Sequence, residues 1–256
     1  AILGLESYAK KNGKRHIITS AIEHKAVLEP IQVLEQHGFE VTIVPSGEDG
    51  VIDVQAIKQS LRDETFLVSI MHANNETGVL QPIEEIASIL NNHDTYFHTD
   101  AAQTFGKEIS PLQNNRIDLI SISSHKIFGP KGMGCLITRK RDYVRPQLTP
   151  LMYGGGQEHG LRPGTLPVAL IVGLGEAANL ALSDIEKRKR LCIDMKQVAT
   201  AAFKKIGAIF NGDQERCLPH VVNLSIPGLN SEAAMIALKG IVAVSNGSAC
   251  TSNSYE

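Results

Sequence analysis

Short apolar runs alternate with amphipathic stretches along the first half of the chain. Runs rich in Ile, Val, Leu and Phe predict strands at residues 16–20, 39–44, 66–71, 96–100, 119–123 and 135–138. Apolar residues at helical spacing predict helices at residues 26–37, 53–62 and 82–91, with Gly38, Asp53 and Pro82 at positions typical of helix ends. Strands that alternate with helices predict an α/β fold with a mostly parallel sheet covered on both faces.

The pattern changes after Pro167. Residues 167–206 keep a helical pattern that is too long for one ordinary globular helix, so we expect two helices or one helix that crosses between domains. A strand at 221–226, a turn at Pro227-Gly228, a helix at 231–238 and a further strand leading into the loop around Cys250 are predicted next. This second part is typical of a smaller α+β domain.

Polar residues follow four of the predicted strands. Ligands in parallel sheets bind beyond the carboxyl ends of the strands, so these residues are candidates for a site. They are Glu23 and His24, then residues 72–76, 100–103 and 123–126. We expect them to lie close together.

Two of these positions suggest an aldehyde cofactor. A desolvated amine at Lys126 can form a Schiff base, while Ser123 and His125 offer donors to a phosphate. Asp100 is the partner that a pyridinium nitrogen needs to remain protonated. The alternatives are a surface lysine at position 126 and a helix N-cap at Asp100.

The remaining candidates also have plain alternatives. Asn75 can bond a phenolic oxygen or a substrate carboxylate, or simply form a turn. His24 can stack on a ring and move protons, or be structural. Cys250, in a polar loop, is an accessible nucleophile if its thiol pKa is lowered, whereas Cys135, in an apolar strand, is expected to be buried and inert.

Composition excludes some classes of protein. Lys and Arg number 25 against 27 Asp and Glu, a net charge of -2 that argues against direct nucleic-acid binding through net positive charge. The sequence shows neither an apolar run of membrane-spanning length nor a secretory signal pattern. Its four cysteines have no CxxC pair, so we expect neither a disulfide framework nor a metal site, and a cytoplasmic location.

The candidate residues, taken in order, resemble the cysteine desulfurases. These are pyridoxal-phosphate enzymes of the class-V aminotransferase family, with fold type I, the aspartate-aminotransferase fold. The resemblance covers essentially the whole chain and is most specific at Ser-x-His-Lys and at Gly-Ser-Ala-Cys-Thr-Ser, which indicates the branch with a long mobile cysteine loop. It is carried by His24, Asn75, Asp100-x-x-Gln103, Ser123-x-His125-Lys126, Arg162-Pro163-Gly164-Thr165 and Gly247-Ser248-Ala249-Cys250-Thr251-Ser252.

The resemblance implies a role for each matching residue. Lys126, His24 and Cys250 are the catalytic residues it implies, and the others bind the cofactor. Lys126 attaches the cofactor, Asp100 pairs with the pyridine nitrogen, and Gln103 bonds the phenolic oxygen. Ser123 and His125 hold the phosphate, and Thr165 reaches the phosphate of the partner subunit in a homodimer. Asn75 lies near substrate and ring, His24 stacks on the ring and shuttles protons, and Cys250 accepts sulfur.

The implied activity removes sulfur from L-cysteine. The products are L-alanine and a persulfide on Cys250, which an acceptor protein of iron–sulfur cluster assembly, tRNA thiolation or DNA sulfur modification takes over. Cys250 can also hold an iron–sulfur cluster transiently with a partner. Two alternatives remain open, namely another pyridoxal-phosphate lyase or aminotransferase, and an inactive sulfur-relay scaffold.

The resemblance also predicts the domain organisation. Residues 1–186 form the large pyridoxal-phosphate-binding domain with its N-terminal part missing, and residues 187–256 form part of the small domain with the cysteine loop. A phosphate-binding loop of the family precedes the first residue here, and a substrate-binding arginine follows the last. We therefore expect these 256 residues alone to bind the cofactor poorly.

Overall fold

The computed structural model describes residues 1–247, and its centre is a six-stranded sheet. The strands are β1 (His16–Ser20), β2 (Glu40–Val44), β3 (Thr65–Ser69), β4 (Tyr96–Asp100), β5 (Leu119–Ser123) and β6 (Gly134–Thr138). They lie in the order β2-β1-β3-β4-β5-β6. All neighbours pair in parallel except β6, which runs antiparallel to β5. The predicted mostly parallel α/β sheet is thus confirmed.

The helices agree with the predicted ones apart from an additional short helix near the first residue. They are α1 (Glu6–Lys11), α2 (Lys25–Gln36), α3 (Val54–Ser60), α4 (Ile83–Ile89), α5 (Val168–Ser183), α6 (Ile185–Lys204) and α7 (Ser231–Ala237). The long stretch after Pro167 forms two helices, α5 and α6, with a bend of 67° between them. The expected boundary between residues 186 and 187 falls in the first turn of α6, and the division into domains stays a prediction.

The core lies on both faces of the sheet because consecutive strand residues point to opposite sides. Ile18 and Val68 belong to the apolar cluster that includes α3 and α4, whereas Ile17 and Leu67 belong to the cluster that includes α1 and α2. All four side chains are fully buried. The two covered faces explain why the strands read as continuous apolar runs.

Among residues 1–247, no single helix is long and apolar enough to cross a membrane. The pair α5 and α6 meets the length and composition criteria only when the two helices are taken together across their bend.

The second part of the chain has less strand than predicted. The strand expected at 221–226 shortens to β8 (Leu224–Ser225), which pairs antiparallel with β7 (Ile209–Phe210). The strand expected before Cys250 was a wrong prediction, since the structure has no strand between residues 239 and 247. Ile241 is 81% exposed there, because no strand of the described residues lies alongside to pair with this apolar run.

Cys135 also differs from its prediction. It lies on β6, which pairs with β5 on one side only, and the residue is exposed rather than buried. An apolar strand sequence alone does not reveal that its strand lies at an edge. Although the residue as a whole is exposed, protein atoms around its sulfur partly desolvate the thiol. This desolvation raises the pKa of the Cys135 thiol and disfavours the thiolate.

Candidate functional site

The candidate site lies at the carboxyl edge of the sheet, where the chain order reverses. From β1 the chain crosses to β2 on one side, and it then returns to β3 on the other side of β1. Such a switch point opens a crevice beyond the strand ends. A cavity of about 440 Å³ lies there, lined by His24 and Asn75 among others. The structure therefore brings together residues that follow β1 and β3.

His24 occupies the N-cap position of α2. Its backbone is extended, with φ of −66° and ψ of 151°, and its Nδ1 accepts a hydrogen bond of 3.1 Å from the backbone N–H of Ala26. Because Nδ1 is an acceptor, the proton of the neutral ring lies on Nε2. The half-buried imidazole thus has a structural role and keeps an N–H for proton exchange.

The two asparagines in the turn after β3 have different roles. Asn74 Oδ1 accepts hydrogen bonds of 2.9 Å from the N–H groups of Glu76 and Thr77, and Asn74 Nδ2 donates to the carbonyl of Ile22. Asn74 therefore forms the turn and fixes it to the loop after β1. Asn75 is half-buried and lines the cavity.

Asp100 ends β4 and accepts a hydrogen bond of 2.8 Å from the N–H of Ala102. Residues 102–107 form turns rather than a helix, so the helix N-cap alternative was wrong. Burial raises the pKa of Asp100, while the Ala102 bond and the electrostatic interactions with His24 and Lys126 act in the opposite direction. His24, Asp100 and Lys126 are thus near enough to interact electrostatically.

Gln103 lies three residues beyond Asp100 in the same turn segment. It is half-buried, and its backbone oxygen accepts a hydrogen bond of 3.1 Å from Lys107 Nζ. This contact fixes the Gln103 backbone beside the end of β4.

Ser123, His125 and Lys126 come together at the end of β5. A 3-10 helix, Ser124–Ile127, follows the strand directly, and Ser123 Oγ lies 2.8 Å from His125 Nδ1. Lys126 is exposed, which agrees with the alternative of a surface lysine and not with a desolvated amine. Its backbone lies on a short turn above the sheet edge rather than within the buried strand.

Gly129 closes this turn by a close approach that other residues cannot make. Phe128 has a left-handed backbone with φ of +66°, and the N–H of Gly129 bonds the carbonyl of Ser124 at 3.0 Å. A Cβ atom at position 129 would lie 2.3 Å from Ser124 Oγ. The glycine therefore fixes the conformation of the turn that presents Lys126.

Two predicted site residues lie apart from this cluster. Thr165 is exposed in the loop before α5, and within residues 1–247 no hydrogen bond or ion pair joins it to Asp100 or Lys126. Its assignment to the site of a partner subunit stays a prediction. Cys250 lies outside the described residues.

Sequence reasoning missed His98, a buried histidine on β4. Its Nδ1 lies 2.8 Å from Ser69 Oγ on β3, and its Nε2 lies 2.9 Å from Ser121 Oγ on β5. Burial lowers the pKa of His98 to about 3, so the ring is neutral. Polar residues in the middle of three neighbouring apolar strands were the signal that could have revealed this chain of side chains.

Lys107 was missed as well. Burial lowers the pKa of Lys107 to about 8, and the charge of Lys126 adds to the effect. Its position depends on the fold of the turn segment after β4, which the sequence pattern does not reveal. Lys107 therefore adds a second amine near Lys126.

Between residues 1 and 247, no group of three or more His, Cys, Asp or Glu side chains is arranged to hold a metal ion.

Comparisons with known proteins identify the family. The sequence model named aminotransferase class-V matches residues 1–256. The chain therefore belongs to the class-V aminotransferases. These enzymes depend on pyridoxal phosphate, and the expected fold type and cofactor are thereby confirmed for the family.

Individual class-V aminotransferases support the resemblance to cysteine desulfurases. The chain is 45% identical over 258 residues to "Cysteine desulfurase IscS" of Ehrlichia chaffeensis, which covers all of this chain and 62% of that protein. The crystal structure of DndA from Streptomyces lividans matches with a TM-score of 0.89 and 48% identity, over 96% of this chain and 70% of that one. A structure of SspA in complex with cysteine matches with a TM-score of 0.79 and 36% identity, over 98% and 70%.

The side chains of this class-V aminotransferase fit its cofactor chemically. Lys126 offers an amine for the aldehyde, Asp100 a carboxylate for the pyridine nitrogen, and the Ser123–His125 pair offers donors for the phosphate. A side chain at position 129 would collide with Ser124, which lies between Ser123 and His125 in the same turn. These groups belong to two neighbouring strand ends, those of β4 and β5.

Proposed function

We propose that the protein to which these residues belong is a cysteine desulfurase that uses pyridoxal phosphate. Its substrate is L-cysteine, and its products are L-alanine and a persulfide on Cys250. The convergence of His24, Asp100 and Lys126 at one edge of the sheet carries the proposal. The similarity to proteins named cysteine desulfurase supports it. The chain spans 62% of the Ehrlichia relative, so the activity is proposed for the longer protein.

The proposed cofactor contacts use the residues of the strand ends. Lys126 would bind the aldehyde carbon, Asp100 would hold the proton on the pyridine nitrogen, and Gln103 would bond the phenolic oxygen. Ser123 and His125 would bind the phosphate, Asn75 would lie near the substrate, and His24 would contact the ring. When bound, pyridoxal phosphate supplies an aldehyde for the substrate amine and a ring that takes up electrons.

His24 and Cys250 act on the substrate in this proposal. His24 carries its proton on Nε2, because Nδ1 accepts the Ala26 bond, and so exchanges protons from that atom. The Cys250 thiolate forms an S–S bond to the substrate sulfur as the substrate Cβ–S bond breaks. The electron pair of that bond passes to the carbon skeleton, which takes up protons and leaves as alanine.

Assembly and partners belong to the same proposal. A homodimer brings Thr165 of one subunit to the phosphate of the other, with residues 1–186 as the cofactor domain and 187–256 in the small domain. The exposure of Thr165 supports this arrangement, since its side chain is available to a second subunit. The persulfide passes to an acceptor protein in the cytoplasm, for iron–sulfur assembly, tRNA thiolation or DNA sulfur modification.

Removing the amine of Lys126 tests the proposal. We expect the full-length protein, supplied with pyridoxal phosphate and L-cysteine, to release alanine and to absorb visible light from the attached cofactor. Lys126→Ala loses both, because no other described residue on the 3-10 helix carries an amine. Lys131→Ala is the matched control, since Lys131 is also exposed and lies five residues further along the chain.

Three outcomes separate the proposed function from its alternatives. Alanine release that requires Lys126 supports it. Visible absorption without alanine release from L-cysteine indicates a different pyridoxal-phosphate lyase or aminotransferase. A full-length protein that shows no visible absorption, with no change in Lys126→Ala, indicates an inactive scaffold.

A further inference from the structure

Glu23 is a buried acid between two strands of the site. The residue is 6% exposed and lies in the loop between β1 and α2, one position before His24. Its Oε1 accepts hydrogen bonds from Ser20 Oγ at 2.6 Å and from the N–H of Met71 at 2.8 Å. Ser20 ends β1, and Met71 follows β3. One oxygen of Glu23 therefore joins the two strands that flank the switch point.

The second oxygen of Glu23 has a different environment. Oε2 is buried and has no hydrogen-bond partner among residues 1–247. A buried anionic oxygen without a donor is strongly unfavourable, whereas a proton on that oxygen removes the charge. The two hydrogen bonds to Oε1 are compatible with this state, because the carbonyl oxygen of a neutral acid accepts both.

Asp100 is the charged group that acts on Glu23. Burial raises the pKa of Glu23 to about 8, and the negative charge of Asp100 acts in the same direction, against the hydrogen bonds from Ser20 and Met71. The interaction is mutual, so an ionised Glu23 would also raise the pKa of Asp100. A neutral Glu23 leaves the negative charge to Asp100, where the pyridine nitrogen requires it.

We propose that Glu23 is a positioning residue that acts as a neutral carboxylic acid. It joins the ends of β1 and β3 at the wall of the cavity, which it helps to line, and keeps Asp100 as the anion of the site. This inference rests on the proposed function, because the charge of Asp100 has this purpose only if pyridoxal phosphate binds. Glu23 itself forms no bond to substrate or cofactor in this account.

Infrared spectroscopy of the full-length protein tests the protonation state without any activity measurement. With isotopically labelled glutamate, we expect the carbonyl band of a protonated carboxylic acid at neutral pH, which disappears as the pH rises above about 8. The band is absent from Glu23→Gln and present in Glu29→Gln, an exposed control on α2. Wild-type protein without this band at neutral pH overturns the proposal, even where the Gln variant does not fold.

Cofactor affinity tests the positioning role separately. Glu23→Ala removes the acceptor for Ser20 and Met71 and should weaken pyridoxal-phosphate binding roughly tenfold. Glu23→Gln keeps a neutral acceptor at the same place and should restore most of the affinity. A Gln variant that binds as weakly as the Ala variant contradicts the neutral acid. Should the wild type bind no cofactor, the proposed function fails, and the infrared band still decides the state of Glu23.

Discussion

At the scale of single residues, His98 shows how a buried polar side chain stabilises the sheet below the site. Its two ring nitrogens lie within hydrogen-bond distance of Ser69 and Ser121, on the strands to either side of β4. The ring is fully surrounded by protein, so its charged form is unfavourable in the native state. His98 lies two positions before Asp100 and therefore on the same face of β4.

His98 should make the stability of the protein sensitive to acid. Its pKa is about 3 in the folded protein against an ordinary value of 6.5. Between these values the unfolded chain binds a proton that the native state excludes, so stability decreases as the pH falls from 6.5 towards 3. We expect the stability advantage of wild type over His98→Gln to shrink by about 1.4 kcal/mol per pH unit below 6.5.

Urea unfolding of the two proteins between about pH 7.5 and about pH 4.5 measures this difference. His159→Gln is the control, because His159 is exposed and its side chain is not part of the buried chain of polar groups around His98. A constant difference between wild type and His98→Gln across the series would mean that His98 is not held neutral by burial.

At the scale of elements, the turn after β5 depends on one glycine. Gly129→Ala places a Cβ 2.3 Å from Ser124 Oγ, so either the turn or the buried serine must move. We expect a loss of stability of about 1–3 kcal/mol from overpacking, together with weaker cofactor binding, because the displaced turn carries Lys126. Thermal unfolding and titration with pyridoxal phosphate measure the two effects.

Gly175→Ala is the matched control for this prediction. Gly175 lies within α5, where a Cβ would meet no atom within 4 Å, so alanine should leave binding unchanged and raise stability by up to about 1 kcal/mol. Equal effects of the two variants would show that the contact with Ser124 does not determine the turn.

The elements could be predicted where local sequence and burial agree. The inner strands β1, β3, β4 and β5 are covered on both faces, so their apolar runs are continuous and their bounds fall within a few residues of the prediction. The apolar run at residues 241–244 looks similar, yet it is not a strand. A strand needs a neighbour to pair with, and the local sequence does not reveal whether one lies alongside.

At the scale of the whole molecule, the sheet gathers residues from distant parts of the chain. His24, Asn75, Asp100 and Ser123 could be predicted as neighbours, because the carboxyl ends of parallel strands meet at one edge. The contact of Glu23 with Met71 could not, since 48 residues separate them and nothing in either segment marks the pair. The sequence left open whether Lys126 is exposed or desolvated, because that depends on the path of the turn above the sheet.

The central claim is that the lysine of this site and the cysteine beyond the described residues work on one substrate. Lys126 belongs to the cluster with Asp100 and His24, while Cys250 is the proposed sulfur acceptor. The related alternative, in which Cys250 is incidental, shares every other feature of the site. Only the dependence of the reaction on Cys250 separates the two accounts.

The most direct test measures alanine and sulfide released from L-cysteine by full-length Cys250→Ala, with Cys135→Ala as the control on an exposed cysteine. We predict that the control behaves as the wild type does, whereas Cys250→Ala loses the release of both products, because no thiolate is available to accept the substrate sulfur. Undiminished release of alanine and sulfide by Cys250→Ala would contradict the account.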